Sequence, residues 1–279
     1  MQRCLELASL GAGYVAPNPM VGAVLVHAGK IIGEGFHKEF GGKHAEVNAI
    51  ESVPDASKHF LQQSVLYINL EPCSHFGKTP PCTDLIIENR IPMVVIGCLD
   101  PNPKVSGKGV KKITDAGLLV KTGTLEIKCR ELNKHFMTFH EKKRPHITLK
   151  WAQSNDGFIA GVKYEKKHLT NTQSDILVHK MRSEHMAIFV GGKTILADNP
   201  KLTLRLWEGK NPIRMSFDNK GNIKAEQFIL DGSVKTILFN FNKELVDGNI
   251  EFVKMKRGED YVKQILDFLS TREINSILV

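Results

Sequence analysis

The chain has 279 residues, of which 42% are hydrophobic and 24% are charged. It carries 38 basic and 30 acidic side chains, for a net charge of +8. This balance is typical of a globular protein long enough for two domains and excludes a disordered chain. Apolar runs such as Met93–Cys98 are too short to cross a bilayer, and five scattered cysteines argue against a secreted disulfide framework. We therefore expect a cytoplasmic protein that does not enter a membrane.

The positive charge is compatible with two kinds of partner, a nucleic acid or small anionic ligands such as phosphates. Much of the excess lies in residues 142–144 and 163–167. Short basic runs of this kind are more often solvated linkers and surface faces than binding sites. Charge alone therefore does not choose between the two partners.

The first half of the chain alternates predicted helices with predicted strands. Its N-terminus predicts an amphipathic helix within residues 1–15, not a signal peptide, with these side chains facing inward: Cys4, Leu5, Ala8 and Leu10. A hairpin follows at 22–27 and 30–36. Further strands are predicted at 65–70, 93–99 and 118–121, with helices at 44–52, 82–89, 107–116 and 125–141. This alternation predicts a three-layer α/β/α sandwich.

A basic stretch at 141–144, followed by Pro145, predicts the boundary between a domain at 1–143 and a second α/β domain at 144–279. Strands of the second domain are predicted at 146–153, 186–190, 213–217 and 236–239, and helices at 172–184 and 261–271. The residues 277–279 are typical of the start or middle of a buried strand. We therefore expect the second domain to continue beyond Val279, so that it is incomplete as given.

A metal site is predicted from three residues of the first domain. His44 stands at the start of a predicted helix, Cys73 follows a predicted strand, and Cys82 begins the next helix. One imidazole and two thiolates are a ligand set for catalytic zinc, which keeps a fourth position open for water. Glu46, two residues after the histidine, is placed to take a proton from that water and return it to the substrate. This pattern of His-x-Glu with two Pro-Cys pairs is typical of nucleobase deaminases.

Isolated His-x-Glu triplets and buried cysteines are common, so the prediction depends on their combination on these elements. The remaining cysteines, Cys4, Cys98 and Cys129, are predicted to be core thiols. The spacing also departs from the usual two residues, because eight residues separate Cys73 from Cys82. This insert is rich in polar residues and prolines, and we expect it to do more than connect the two ligands.

The chain resembles the bifunctional riboflavin-biosynthesis deaminase/reductase family over essentially its whole length. In the first half the resemblance rests on the following stretches: Pro17-Asn18-Pro19-Met20-Val21-Gly22-Ala23-Val24, His44-Ala45-Glu46-Val47, Glu71 to Thr83 with its long cysteine insert, and Asp100-Pro101-Asn102-Pro103. In the second half it rests on Thr148-Leu149-Lys150, Ser154-Asn155-Asp156-Gly157 and the run from Thr194 to Thr203.

The resemblance implies a cytidine-deaminase-like domain followed by a dihydrofolate-reductase-like domain. It also implies two successive reactions: zinc-dependent deamination of a diaminopyrimidinone ribosylamine 5′-phosphate, and reduction of the ribosyl chain by NADPH. Phosphorylated pyrimidines are thus the expected partners, in a homo-oligomer without nucleic acid. Side chains beside the metal that can donate hydrogen bonds to the ring and phosphate are Asn18, His75, Lys78 and Asn102.

Residue roles in the reductase follow from the resemblance alone. The positions that it implies for NADPH are Ala152, His168, Thr194 and Asp198, and those for substrate are Lys166, Arg182, Leu202 and Arg205. Lys166 and His168 stand where the family usually has serine and tryptophan. Guanidinium groups bind oxyanions in a bidentate way, which suits the two arginines to the phosphate. The glycine-rich cofactor loop of the family is expected after Val279.

Two alternatives remain open at this point. A nucleoside or tRNA-base deaminase with an accessory domain would have two residues between its cysteines and an aromatic groove, and aromatic residues here are only 7%. A zinc-stabilised nucleic-acid-binding protein would close the metal site with a fourth ligand and would have no use for Glu46. An ammonia-release assay beside an RNA gel shift separates the three.

Overall fold

The structure is a computed structural model that describes residues 1–76, 80–103, 105–159, 161 and 169–279. The chain forms two compact units, Met1–Lys143 and Arg144–Val279. Each unit consists of one β-sheet with helices packed on it. Within the described residues, every helix is too short or too polar to cross a membrane.

The sheet of the first unit has five strands in the order β2-β1-β3-β4-β5. Its strands are β1 (Gly22–His27), β2 (Lys30–Phe36), β3 (Val65–Leu70), β4 (Met93–Cys98) and β5 (Leu119–Lys121). The first strand pairs antiparallel with both neighbours, whereas β3, β4 and β5 are parallel. The carboxyl ends of β3 and β4 therefore lie at the same edge, which brings Glu71-Pro72-Cys73 next to Asp100.

Helices cover both faces of this sheet, as the predicted three-layer sandwich requires. They are α1 (Gln2–Ser9), α2 (Ala45–Glu51), α3 (Cys82–Glu88), α4 (Lys108–Asp115), α5 (Glu126–Leu132) and α6 (Lys134–Lys142), with a 3-10 helix at Asp55–Gln63. One face buries apolar residues of α2, α3 and α4, among them Ala49, Ile86 and Ile113. The other buries residues of α1, α5 and α6, such as Leu5, Cys129 and Phe136.

Two predictions for the first unit are wrong. The first helix ends at Ser9, so Leu10 lies outside it and is 60% exposed. The predicted helix at 125–141 is divided into α5 and α6 at Asn133. This residue is buried, and its side-chain amide both accepts from the backbone N–H of Met20 and donates to the carbonyl of Met20. The break therefore turns an asparagine inward to hold the segment that follows Asn18.

The sheet of the second unit has seven strands in the order β10-β11-β9-β8-β7-β12-β6. They are β6 (His146–Thr148), β7 (Ala187–Gly191), β8 (Ile213–Asp218), β9 (Thr236–Asn240), β10 (Leu245–Asp247), β11 (Ile250–Lys254) and β12 (Ser276–Leu278). All pairs are parallel except β10 with β11. The predicted strand at 277–279 is thus an interior strand, hydrogen-bonded on both sides.

Helices α7 (Thr172–Glu184), α8 (Gly192–Asp198) and α9 (Tyr261–Thr271) complete this unit. Leu269 of α9 packs on one face of the sheet with Met215 and Phe239. Ile195 of α8 packs on the other face with Leu238. The predicted strand at 146–153 ends early, at Thr148, and Leu149 and Trp151 beyond it are exposed. Helix α8 and strands β10 and β11 were not predicted. Their segments are too short to show the regular spacing of apolar residues that indicates a helix or a strand.

Candidate active sites

Three predicted metal ligands meet at one point of the first unit. The imidazole nitrogen of His44 and the sulfur atoms of Cys73 and Cys82 all lie within 4.8 Å of one another. His44 Nδ1 is 3.2 Å from Cys82 Sγ and 3.6 Å from Cys73 Sγ. His44 is the N-cap of α2, and Cys82 is the first residue of α3. A donor set of one imidazole and two thiols, close enough to share one ion, fits zinc.

The thiols of Cys73 and Cys82 are hydrogen-bonded to each other, and each changes the pKa of the other. The pKa of Cys73 is lowered to about 4 by the hydrogen bond from the Cys82 thiol and, further, by His44. The same bond and burial raise the pKa of Cys82 well above its usual range. Cys73 Sγ also accepts the backbone N–H of Cys82 at 3.3 Å. Metal binding would release the thiol protons of the pair, because the thiolate is the form that ligates a metal ion.

Glu46 is a buried carboxyl group beside these ligands, with 3% of its surface exposed. Burial raises the pKa of Glu46 to about 7, and the negative charge of Cys73 contributes in the same direction. A carboxyl group with a pKa near neutrality can both accept and donate a proton at physiological pH. Glu46 lies in the first turn of α2, whose N-cap is His44, and it lines the same cavity as His44 and Cys73.

A cavity of about 300 Å³ opens beside the cluster and brings several predicted residues together. The predicted residues that line it are Asn18, His44, Glu46, Cys73, His75 and Asn102. Cys82 lies behind them, 1% exposed. Lys78, predicted to contact substrate, lies outside the described residues.

His37 lines the same cavity and was not predicted. Its Nδ1 lies 3.0 Å from the carbonyl oxygen of Lys43, an acceptor, so Nδ1 carries the ring proton and Nε2 is left to accept. Asn18 Nδ2 lies 3.3 Å from this Nε2. Burial lowers the pKa of His37, which favours the neutral ring. The amide of Asn18 is therefore oriented with Nδ2 toward His37, and its oxygen, which has no hydrogen-bond partner among the described residues, can accept from a ligand.

Glu71 and Asp100, also not predicted as site residues, shape the floor of this cavity. The Glu71 carboxylate accepts from the backbone N–H groups of Asp100, Gly107, Gly109 and Val110, at distances of 2.9–3.2 Å. It therefore anchors the loop between β4 and α4 at the helix N-terminus. Asp100 is buried, which raises its pKa to about 7, and its Oδ1 accepts from the backbone of Asn102.

In the second unit, four predicted residues line one cavity of about 540 Å³: Arg182, Asp198, Leu202 and Arg205. The Nη1 atoms of Arg182 and Arg205 both donate to the carbonyl oxygen of Thr203, at 3.1 and 3.3 Å. Burial and the charge of Arg205 lower the pKa of Arg182. Among the described residues, neither guanidinium forms an ion pair with a carboxylate. Two positive charges without a carboxylate partner among these residues can therefore attract an anion into the cavity.

The loop after α8 carries backbone strain at this cavity. Asn199 and Leu202 both have positive φ, of 41° and 57°, a region that L-residues rarely adopt. The Asn199 side chain accepts from the backbone of Phe228, and Leu202 is buried in the core. Strained, over-determined residues of this kind are common in ligand sites.

Two of the remaining reductase predictions are not brought into this cavity. Ala152 and Thr194 are not among the residues that line it. Thr194 lies in the first turn of α8, and Ala152 lies in the irregular segment that follows β6. Lys166 and His168 lie outside the described residues.

Comparison with known proteins follows the division into two units. Residues 1–98 match the family model described as the cytidine and deoxycytidylate deaminase zinc-binding region. Residues 145–279 match the RibD C-terminal domain. The chain is 46% identical to the riboflavin biosynthesis protein RibD of Aquifex aeolicus, covering 100% of this chain and 79% of that protein. It is 38% identical to RibD of Bacillus amyloliquefaciens, covering 100% and 76%.

Solved structures give the same result. A diaminohydroxyphosphoribosylaminopyrimidine deaminase/5-amino-6-(5-phosphoribosylamino)uracil reductase from Thermotoga maritima superposes with a TM-score of 0.91 at 44% identity, covering 100% of this chain and 79% of that one. RibD of Acinetobacter baumannii superposes with a TM-score of 0.90 at 32% identity, covering 99% and 78%. Such matches over both units decide against a lone deaminase and against a zinc-stabilised nucleic-acid-binding protein.

Proposed function

The chain belongs to the RibD family of riboflavin-biosynthesis enzymes, a zinc-dependent deaminase joined to an NADPH-dependent reductase, and from this premise we propose which residues carry each reaction. The first unit deaminates 2,5-diamino-6-ribosylamino-4(3H)-pyrimidinone 5′-phosphate. The second reduces the ribosyl chain of the product, 5-amino-6-(5-phosphoribosylamino)uracil, to ribityl. The first reaction belongs to residues 1–143 and the second to residues 144–279.

In the deaminase, His44, Cys73 and Cys82 would hold the zinc ion. When bound, zinc lowers the pKa of a coordinated water toward about 7, and so supplies a nucleophile at neutral pH. Glu46 accepts the first proton that the water gives up and passes it to the ring nitrogen. It then moves the second proton of the same water to the amino group, which leaves as ammonia. Its burial and its pKa of about 7 support this role, because the same carboxyl group must bind and release a proton in each turnover.

Substrate orientation in the deaminase is assigned to Asn18, His75 and Asn102. The contact of Asn18 with His37 supports an acceptor role for the Asn18 oxygen, which would read an N–H or amino group of the pyrimidine. Asn102 is held near the cavity floor by Asp100, which accepts from its backbone. His75 and Lys78 belong to the insert between the two cysteines, and we assign both to polar groups of the substrate.

In the reductase, NADPH supplies the hydride. The chain's own residues bind and orient the two reactants: Arg182 and Arg205 hold the substrate phosphate, and Leu202 packs beside it. Two guanidinium groups on one carbonyl oxygen support this assignment, because a phosphate oxygen is a stronger acceptor for the same donors. Asp198, Thr194, Ala152 and His168 are assigned to NADPH, and Lys166 to substrate.

The main support for the deaminase proposal is the position of Glu46. This buried carboxyl group lies in the wall of one cavity, beside the three residues that would hold zinc: His44, Cys73 and Cys82. The test of this proposal is to supply the diaminopyrimidinone phosphate and to measure ammonia release, followed by NADPH consumption. Ammonia release must precede NADPH oxidation, with one ammonia and one NADPH per substrate. NADPH oxidation with this substrate before any ammonia appears would contradict the proposed order.

Location and assembly complete the proposal. All five cysteines are free thiols, which supports the reducing cytoplasm. Exposed apolar side chains of the second unit, such as Trp151, Phe158 and Ile159, support a homo-oligomer. Sedimentation analysis of the purified protein tests the oligomer, and we propose no nucleic-acid or membrane partner.

A further inference from the structure

His179 connects the two arginines of the second unit and has no role in the functions assigned above. It lies in α7, three residues before Arg182, and is 4% exposed. Its Nδ1 receives the backbone N–H of Arg205 at 3.0 Å and that of Leu206 at 3.4 Å. Its Nε2 lies 3.4 Å from Nη1 of Arg182. A single buried ring thus contacts the guanidinium group of Arg182 and the backbone of Arg205.

Elementary hydrogen-bond chemistry fixes the state of this ring. Backbone N–H groups only donate, so Nδ1 carries no proton and the neutral ring has its proton on Nε2. Burial, followed by the charges of Arg182 and Arg205, lowers the pKa of His179, in agreement with a neutral ring. Nε2–H and the Arg182 guanidinium are then both donors, and they cannot hydrogen-bond to each other.

Arg182 consequently keeps N–H groups that can donate to a ligand. Its Nη1 turns to the carbonyl oxygen of Thr203, and its buried Nε has no hydrogen-bond partner among the described residues. Arg205 reaches the same oxygen because its backbone is held at His179 Nδ1. The Thr203 carbonyl oxygen therefore marks a point that both guanidinium groups reach. An anion bound beside it would contact both groups without a rearrangement of either arginine.

We propose that His179 is a positioning residue of the reductase. It holds the backbone at Arg205 and offers Arg182 no acceptor, so that both guanidinium groups converge on the substrate phosphate. This inference rests on the proposed binding of that phosphate by Arg182 and Arg205. It predicts that His179 acts on substrate affinity and not on hydride transfer, because the ring contacts the two arginines that are assigned to the phosphate.

The test compares two substitutions in the whole protein. In H179N the side-chain oxygen can replace Nδ1 as acceptor for the Arg205 N–H, whereas in H179Q the side-chain amide reaches the position of Nε2. We expect H179Q to raise the KM of the reductase step about tenfold with kcat within about twofold, and H179N to stay within about threefold of the original KM. Competitive inhibition by ribose 5-phosphate should weaken in parallel in H179Q.

Deaminase activity and thermal unfolding of each variant serve as internal controls for folding. Equal KM values for H179N and H179Q, raised or not, would overturn the positioning role, as would a fall in kcat with unchanged KM. The variants Arg182→Ala and Arg205→Ala separate this result from the underlying assignment. If they leave KM and ribose 5-phosphate inhibition unchanged, the phosphate is bound elsewhere. If they weaken both while H179Q does not, only the role of His179 is wrong.

Discussion

The two cavities differ in how they are built. In the first unit, the groups assigned to the reaction stand where strands end and helices begin, and Glu46 and Cys82 are buried. In the second unit, the groups lie on a strained loop and a helix face, and they are mainly cations that meet on a backbone oxygen. The first site holds reactive side chains in place, whereas the second gathers charge for a ligand.

Because the two sites are built differently, substitutions in them should change different kinetic constants. In the deaminase the protein supplies the proton-transfer group and the metal ligands, so a single substitution should act on the rate. In the reductase the hydride comes from a cofactor, so the chain contributes binding and orientation. Substitutions there should act mainly on KM.

Removal of a metal ligand should have the largest effect. Cys82→Ala leaves two of three ligands, and we expect zinc to fall from about one per chain to a small fraction, with loss of deaminase activity. Elemental analysis and ammonia release measure both. Cys4→Ala is the matched control, because Cys4 is also buried and its thiol donates to the carbonyl of Tyr67. Full zinc in the Cys82 variant would exclude it as a ligand.

Loss of the proton-transfer group should come next. Glu46→Gln keeps the shape of the side chain and should keep the zinc, yet it should slow deamination by about a hundredfold to ten-thousandfold. Reduction of supplied uracil intermediate should be unaffected. Glu51→Gln, at the exposed end of the same helix where Glu51 pairs with Lys43, is the control. Normal deamination by the Glu46 variant would remove this residue from the reaction.

The deaminase half was largely predictable because its signals are local. The predicted strands at 22–27, 30–36 and 65–70 match the structure in their bounds, and Glu46 and Cys82 lie in the predicted helices. The roles of His37 and Asn133 could not be predicted from sequence. Each acts through contacts with residues distant in sequence or through a break in a helix, and neither has a periodic signal.

The reductase cavity was less predictable for a physical reason. Its arginines are brought together by a loop whose path depends on positive φ at Asn199 and Leu202, neither of which is glycine. Asn199, which precedes Pro200 at the end of α8, is a residue type that accepts positive φ, but leucine is not, so the local sequence does not signal the conformation at Leu202. His179 does lie three residues before Arg182 in a correctly predicted helix, so a shared face could be inferred. Its contact with the backbone of Arg205 could not.

The second unit should depend on a buried arginine, which has no counterpart among the described residues of the first unit. Arg214 is fully buried in β8 and donates to Thr236 Oγ1, to the carbonyl groups of Phe228 and Val234, and to Asp231. Arg214→Met leaves these acceptors unpaired and should lower the free energy of unfolding of this unit by about 3–5 kcal/mol.

Urea unfolding measures the effect of Arg214→Met, and Arg272→Met, at an exposed ion pair with Glu251, is the control with an effect under about 1 kcal/mol. Zinc content and deaminase activity should persist at urea concentrations that abolish reduction. Simultaneous loss of both activities would mean that the two units unfold as one.

Substitution of a phosphate-binding arginine should have a smaller effect, confined to affinity. Arg205→Gln removes one charged donor and should raise the KM of the reductase step by about tenfold to a hundredfold, equivalent to about 1.5–3 kcal/mol, with little change in kcat. Steady-state kinetics with supplied uracil intermediate measures this, and Arg272→Gln is the matched control. An equal loss in kcat would place Arg205 in the chemical step and would break the contrast between the two sites.

The smallest expected effect is a pH-dependent one at the partner of Arg214. The hydrogen bond from Arg214, together with Ser233, lowers the pKa of Asp231 to about 2, from 3.8. Because the folded-state pKa is the lower one, the stabilisation is complete above pH 3.8 or so and is lost as pH falls through about 2. The Asp231 side chain is 34% exposed, so screening limits the contribution to about 1 kcal/mol.

Asp231→Asn should therefore lower the free energy of unfolding of the second unit by this amount at pH 7, and by less at pH 3. Urea unfolding at the two pH values measures the difference. A loss that is equal at both would show that Asp231 acts through its hydrogen bonds and not through its charge.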